Sequence, residues 1–195
     1  MSQPPPLMVE HRCRLSVIEK EVRWAIQGNL LVKSVEGMPD YQIPLESLRE
    51  IRLQFAPTRY QTKRYVCHLH DSRGKCAAFQ SGHYVGFANF ADRGDSFRKL
   101  VLALISRRFA IGGNCRYIGG TSMINWLFQS AIFIGSLCML AAAFYFFWSA
   151  VGWMALFKLA LIAWLVPVAW NWVRQNRPRD FDPENIPEGL LPDPP

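Results

Sequence analysis

The chain has 195 residues, half of them hydrophobic, and a formal charge of +7. That average hides three unlike parts: residues 1–120 carry a net +8, residues 121–173 hold one lysine and no acid, and residues 174–195 carry −2. The first part is large enough to bury one small core. The five cysteines, Cys13, Cys67, Cys76, Cys115 and Cys138, form no CxxC or evenly spaced ladder, which argues against a secreted disulfide framework and for a reducing setting.

The opening "MSQPPPLMVEHRCRL" has no basic start followed by an apolar run, so no signal peptide is read there. Residues 1–9 are expected to be disordered, and the folded part is expected to stay on the side where it is made. From Arg12 to Phe79 short β-rich runs alternate with turn signals. "RLSVIEK" precedes "EVRWAIQ", Gly28-Asn29 supplies a hairpin turn before "LLVKSV", and "GMPD" leads to "YQIPL". In "IPLESLREIRLQF", Ile51, Leu53 and Phe55 alternate with Arg52 and Gln54, the period of a strand with one dry face. "RYVCHLHD" and "KCAAFQS" flank a further turn at Asp71-Ser72-Arg73-Gly74. About seven short strands in a meander are expected.

The period then changes. After Asp95 or Ser96 as N-cap, "FRKLVLALISRRF" puts Phe97, Leu100, Val101 and Leu104 on one helical face between basic flanks. Strands first and one closing helix last is the element order of a pleckstrin-homology-like (PH-like) domain. With "IPL" at Ile43–Leu45, "IRL" at Ile51–Leu53 and this helix, the chain resembles the bacterial PH-like membrane proteins with a C-terminal transmembrane hairpin. The resemblance implies an α+β chain: a PH-like antiparallel β-barrel or sandwich over 10–111, capped by one amphipathic helix and followed by a two-helix transmembrane hairpin in the bacterial inner membrane. It carries no catalytic motif, and what such a fold binds does not follow from the fold.

"GGNCRYIGG", Gly112 to Gly120, lacks the order of a phosphate-binding loop and follows a helix, so 112–122 is read as a flexible linker. The stretch 123–173 contains two uncharged or nearly uncharged runs, Ile124–Trp148 and Trp153–Val173. At 1.5 Å per residue they reach roughly 37 and 31 Å, enough to cross a hydrocarbon core of about 30 Å. Trp148 and Trp153 flank the short turn, and the arginines lie outside it at Arg107, Arg108, Arg116, Arg174, Arg177 and Arg179. The positive-inside rule then predicts a multi-pass protein with both termini cytoplasmic. Lys158 lies close enough to the outer end for its stem to reach the headgroups. Asn125 with Gln129, and Ala131 with Gly135, could pack helices together.

The tail 174–195 is proline-rich and acidic yet carries Phe181, Ile186, Leu190 and Leu191. Its charge complements that of the basic domain, so these residues are expected to dock there. Arg59, Lys63 and Arg64 beside Tyr60 and Tyr65, with Arg107, Arg108 and Arg116, form the candidate surface for anionic lipid or a partner; an ordinary solvated surface is the alternative. His68 and His70 share a strand face, but no ligand cluster joins them, so neither a metal nor a cofactor is expected. No catalytic residue is nominated and no nucleic-acid role is expected. The expected function is a non-catalytic, membrane-anchored platform for a protein partner or anionic lipid. The alternatives are an accessory or assembly subunit of a larger membrane complex, with an integral membrane partner, and a membrane enzyme or transporter component using Lys158.

Overall fold

The computed structural model describes residues 9–87, 89–146, 163, 166–167 and 177–194. The chain divides into two compact units, Met1–Gly119 with Arg179–Pro195, and Gly120–Pro178. The first unit opens with an antiparallel sheet of four strands in chain order, β1 (Glu10–Cys13), β2 (Val22–Gln27), β3 (Leu30–Val35) and β4 (Tyr41–Pro44). The β2–β3 turn is Gly28-Asn29, with Gly28 at φ +57°, a left-handed position that a β-branched residue would resist. Pro44 has no N–H to extend the ladder, and a 3-10 turn at Leu45–Ser47 follows it.

Beyond that turn come β5 (Glu50–Phe55), β6 (Tyr65–Asp71), β7 (Gly74–Gln80), β8 (Gly82–Gly86) and β9 (Asn89–Asp92). The helix α1 (Gly94–Ile111) and the strand β10 (Arg116–Gly119) follow, and β11 (Arg179–Asp180) is supplied by the C-terminal segment. A five-stranded sheet has the order β11-β10-β5-β6-β7, with β10 parallel to β5 and the other pairs antiparallel; β8 and β9 form a separate hairpin. In β5, Ile51 and Leu53 are fully buried while Arg52 and Gln54 are not, as period-two alternation requires. Phe97, Leu100, Val101 and Leu104 of α1 enter the same core as Leu31, Leu45, Leu48, Ile51, Leu53, Leu69 and Phe79.

This architecture corrects the expected PH-like barrel followed by a two-helix hairpin. The α+β content is compatible, but the strands lie in three sheets, one pair is parallel, and α1 does not close the domain. The stretch read as a linker contains β10, whose Tyr117 and Ile118 are buried. Flanking glycines hid it, because a short strand buried through parallel pairing leaves no alternation to read. "RLSVIEK" is not a strand either: the first strand lies before it, and Val17 and Ile18 are exposed.

In the second unit, α2 (Met123–Phe146) is the one described helix long and apolar enough to cross a membrane, with mean hydropathy 1.6 over Met123–Ala142 and none of that stretch buried. Ser122 starts it, its Oγ accepting from the Asn125 N–H and its carbonyl from the Trp126 N–H. Gly135 faces open space, so the Ala131–Gly135 pair makes no close packing among the described residues. The expected second span, Trp153–Val173 with Lys158, lies outside the described residues apart from 163, 166 and 167.

One cation holds the far end of α1 to the sheets. Arg108 is buried; its Nε and Nη2 donate to the Leu48 carbonyl at 3.2 and 3.1 Å, and its Nη1 donates to the Gly112 carbonyl. A planar guanidinium can serve both carbonyls at once, whereas an ammonium is a point donor. Arg108→Ala should cost on the order of 3 kcal/mol through the unpaired carbonyls, and Arg108→Lys should recover only part of it. Chemical denaturation of the full chain in detergent checks both; full recovery by lysine would show that charge alone matters.

Candidate functional site

The six cations read as one surface are not one surface. Arg59 and Lys63 are exposed, and no ion pair joins their side chains among the described residues. Arg64 is half-buried and its Nε donates to Gln80 Oε1 at 2.7 Å. Arg107 donates to the Gly28 carbonyl at 2.7 Å, Arg108 is buried as described, and Arg116 pairs with Asp180 at 3.3 Å. Four of the six thus hold parts of the domain together, leaving Arg59 and Lys63 for a ligand.

Lys63 borders two hollows. One, of about 220 Å³, is lined by Tyr60–Lys63 with Gly82, Phe90, Ala91 and Asp92. The other, of about 340 Å³, lies at the start of α1 and is lined by Lys63, Tyr65, Asp92–Ser96, Pro192 and Asp193. Three carboxylates face Lys63 and Arg93 there, so the helix N-terminus is screened by acid and is a poor cradle for phosphate.

Ser96 belongs to that second hollow and touches a residue that sequence reasoning passed over. His11, 1% exposed, has Nδ1 2.8 Å from Ser96 Oγ, while its Nε2 lies 2.8 Å from the Gln80 carbonyl. A carbonyl only accepts, so Nε2 carries the proton and Nδ1 accepts from the hydroxyl, which also lies 3.1 Å from the Arg93 carbonyl. The arrangement resembles a hydrolase's serine and base. Its chemistry is otherwise: burial, reinforced by Arg93 and His83 and only partly opposed by the Gln80 carbonyl, brings the His11 pKa down to about 4. A base that weak takes a serine proton poorly at neutral pH, and the contacts instead pin β1 to α1 and β7. No local motif announces this pair, because His11 and Ser96 meet only through the fold.

The other polar groups point the same way. Burial lowers His68 to about 4 and pushes the thiols of Cys13, Cys67, Cys76 and Cys115 upward, away from the reactive thiolate. Among the described residues no three His, Cys, Asp or Glu side chains are placed to hold a metal ion.

The tail residues lie in the first unit. β11 pairs with β10, the Phe181 N–H bonds the Tyr117 carbonyl at 2.9 Å, and the two rings stand 6.1 Å apart. Leu190 and Leu191 are buried in the core, Phe181 and Ile186 are partly buried against it, and Arg98 donates to the Pro192 carbonyl at 2.7 Å. Gly119 leaves the room that Leu190 uses: a Cβ there would lie 2.5 Å from Leu190 Cδ1. Between Arg98, Leu102 and the segment Pro183–Pro194 an open hollow of about 670 Å³ remains.

No protein-family model matches the chain, and no curated protein matches it. Among solved structures, the hSac2 domain from human phosphoinositide phosphatase Sac2 is similar at 15% identity, over 61% of this chain and 81% of that one, with a TM-score of 0.39. A likeness that loose carries no functional argument.

Two outcomes follow. His11 stays neutral in the folded protein to about pH 4 but titrates near 6.5 when unfolded, so the unfolded state binds more protons between those values. Its contribution is present above pH 6.5 and lost as pH falls toward 4, by about 3 kcal/mol in full. Denaturation against pH should show this slope together with that of His68, which is also lowered to about 4, and His11→Gln should remove only the His11 share; an unchanged slope in the variant would assign it elsewhere. For the tail, Leu190→Ala should lower stability by about 2–5 kcal/mol, whereas a purely solvated terminus would lose nothing measurable on thermal unfolding.

Proposed function

We propose that the chain is a multi-pass membrane protein that presents a non-catalytic binding domain to the cytoplasm, for a protein partner or anionic lipid. One observation carries the reading: the apolar segment containing α2 leaves the domain at Gly119 and returns at Arg179, and these two residues are paired in the sheet. An excursion that begins and ends at one sheet edge must cross a bilayer an even number of times if it crosses at all. Both chain ends then lie on one side, and the arginines flanking the segment favour the cytoplasmic side.

The binding role draws support from Arg59 and Lys63, which are exposed beside Tyr60 and make no ion pair among the described residues. A second reading, an accessory subunit of a larger membrane complex, draws on α2, which has no fully buried residue along Met123–Ala142 and whose exposed apolar face suits a neighbouring helix as well as lipid. The enzyme or transporter reading rested on Lys158 and has no described residue behind it.

The membrane reading is tested by accessibility labels at both termini in sealed vesicles: both should react from one side, and termini on opposite sides would overturn it. For lipid binding, full-length protein in nanodiscs should melt higher in anionic than in neutral lipid at low salt. Arg59→Ala with Lys63→Ala should shrink that difference, as should salt, because screening lengths fall to about 8 Å at 0.15 M. A stoichiometric integral protein retained in mild detergent, with no lipid dependence, would favour the subunit reading.

A further inference from the structure

The exposed apolar side chains of the first unit include two at loop tips. Ile18 is 95% exposed in the β1–β2 loop and Phe87 97% exposed at the turn of the β8–β9 hairpin, with Val17 and Val85 beside them. The fold brings these loops to one end. His11 meets Gln80, and three residues on, just past the end of β1, the Arg14 carbonyl accepts the Tyr84 N–H at 2.9 Å. The two segments therefore advance in the same sense, and both continue outward within four residues to Ile18 and Phe87.

We infer that the Val17–Ile18 loop and the Val85–Phe87 hairpin tip form a wedge that enters the interfacial layer of a lipid bilayer, a second membrane contact besides α2. The inference rests on the membrane reading above and names lipid as what this face of the domain meets.

Two features select lipid over a protein groove. The apolar tips are convex and line none of the hollows described above, so they suit a medium that deforms around them. The loop backbone is prepared for low water: Arg14 Nε donates to the Ser16 and Glu19 carbonyls at 3.0 and 2.9 Å, and its Nη2 to the Val17 carbonyl at 2.7 Å. Carbonyls satisfied internally do not oppose entry into a poorly hydrating layer. Charges of both signs stand near the wedge: the Arg14 guanidinium lies 5.9 Å from the Tyr84 ring centre, Glu19 is exposed next to Ile18, and Asp92 lines the 220 Å³ hollow together with Lys63. The apolar tips, not the charge, therefore carry the contact with lipid.

The test uses full-length protein reconstituted in vesicles of neutral and anionic phospholipid without other protein. A photo-crosslinking benzophenone amino acid replaces Ile18, Phe87, Asn29 or Ile132 in turn, and lipid adducts are read by mass spectrometry. Asn29, exposed in the β2–β3 turn at the opposite end of the four-stranded sheet from Ile18, is the water-side control, and Ile132 of α2 reports the anchor. Adducts at 18 and 87 severalfold above those at 29 are expected. Adducts at 132 with 18 and 87 no higher than 29 would overturn the wedge and leave the anchor standing; adducts at 18 and 87 without any at 132 would uphold the wedge and remove the anchor. No adducts above control at any position would overturn both. As an independent measure, Ile18→Asp with Phe87→Asp should leave the melting temperature in detergent unchanged, since both side chains are exposed, and abolish lipid-dependent protection of the 15–20 amides from hydrogen exchange. Protection equal to wild type would overturn the wedge.

Discussion

Strand β10 holds the chain at two places that the sequence keeps far apart. On one edge it pairs in parallel with β5, from Arg116 opposite Glu50 to Gly119 opposite Leu53; on the other it receives β11 through Ile118 and Gly119. Two residue pairs are too few to hold the C-terminal segment, and the burial of Leu190 and Leu191 supplies the rest. The edge of the five-stranded sheet therefore cannot be completed until all of Gly120–Pro178 has been synthesised, whatever that segment crosses. Contacts of such sequence separation carry a large loop-closure cost and form late. Most of the core around Ile51, Leu69, Phe79 and Leu104 comes from residues up to the end of α1, with Tyr117, Leu190 and Leu191 completing it, so the earlier part can form first and offer β10 as the template.

The same constraint explains why charge was a poor guide to the surface. Arginine in a small domain is useful for its five donors as much as for its charge. Arg108 is spent on the carbonyls of Leu48 and Gly112, Arg14 on those of Ser16, Val17 and Glu19, Arg107 on that of Gly28, and Arg98 on that of Pro192. Each acceptor lies at a turn, a loop or a chain end, where backbone groups lack a ladder partner. The net +8 of residues 1–120 is thus partly a count of backbone repairs, and only some of it remains to attract an anionic partner.

What could be read from the sequence was local. The alternation in β5, the Gly28-Asn29 turn and the apolar stripe of α1 each sit within one element, and local pattern reports them directly. Pairing is not local: nothing in "CRYIGG" states that Tyr117 will face Ile51, and nothing in "EHRC" marks His11 as the partner of Ser96 and Gln80. The apolar residues of the tail were conspicuous for their setting, since proline and acid seldom accompany Phe181, Ile186, Leu190 and Leu191 unless something covers them. Val17 and Ile18 were misleading for the converse reason. Their β-branched character suggested a strand, while Arg14 gathers the carbonyls that a strand would have needed.

Exposure of apolar groups has different physical meanings in different parts of the chain. Along α2 it is continuous and surrounds the helix, as in a segment whose solvent is lipid or another helix. In the first unit it is scattered over a domain whose core is otherwise closed, since Leu31, Leu45, Ile51, Leu69, Phe97 and Leu104 are all fully buried, and it peaks at Ile18 and Phe87. Single exposed apolar side chains are ordinary on a folded domain. What sets these two apart is their place at the tips of two loops, one braced by a guanidinium and the other closed as a hairpin, which is where the proposed contact with lipid would use them.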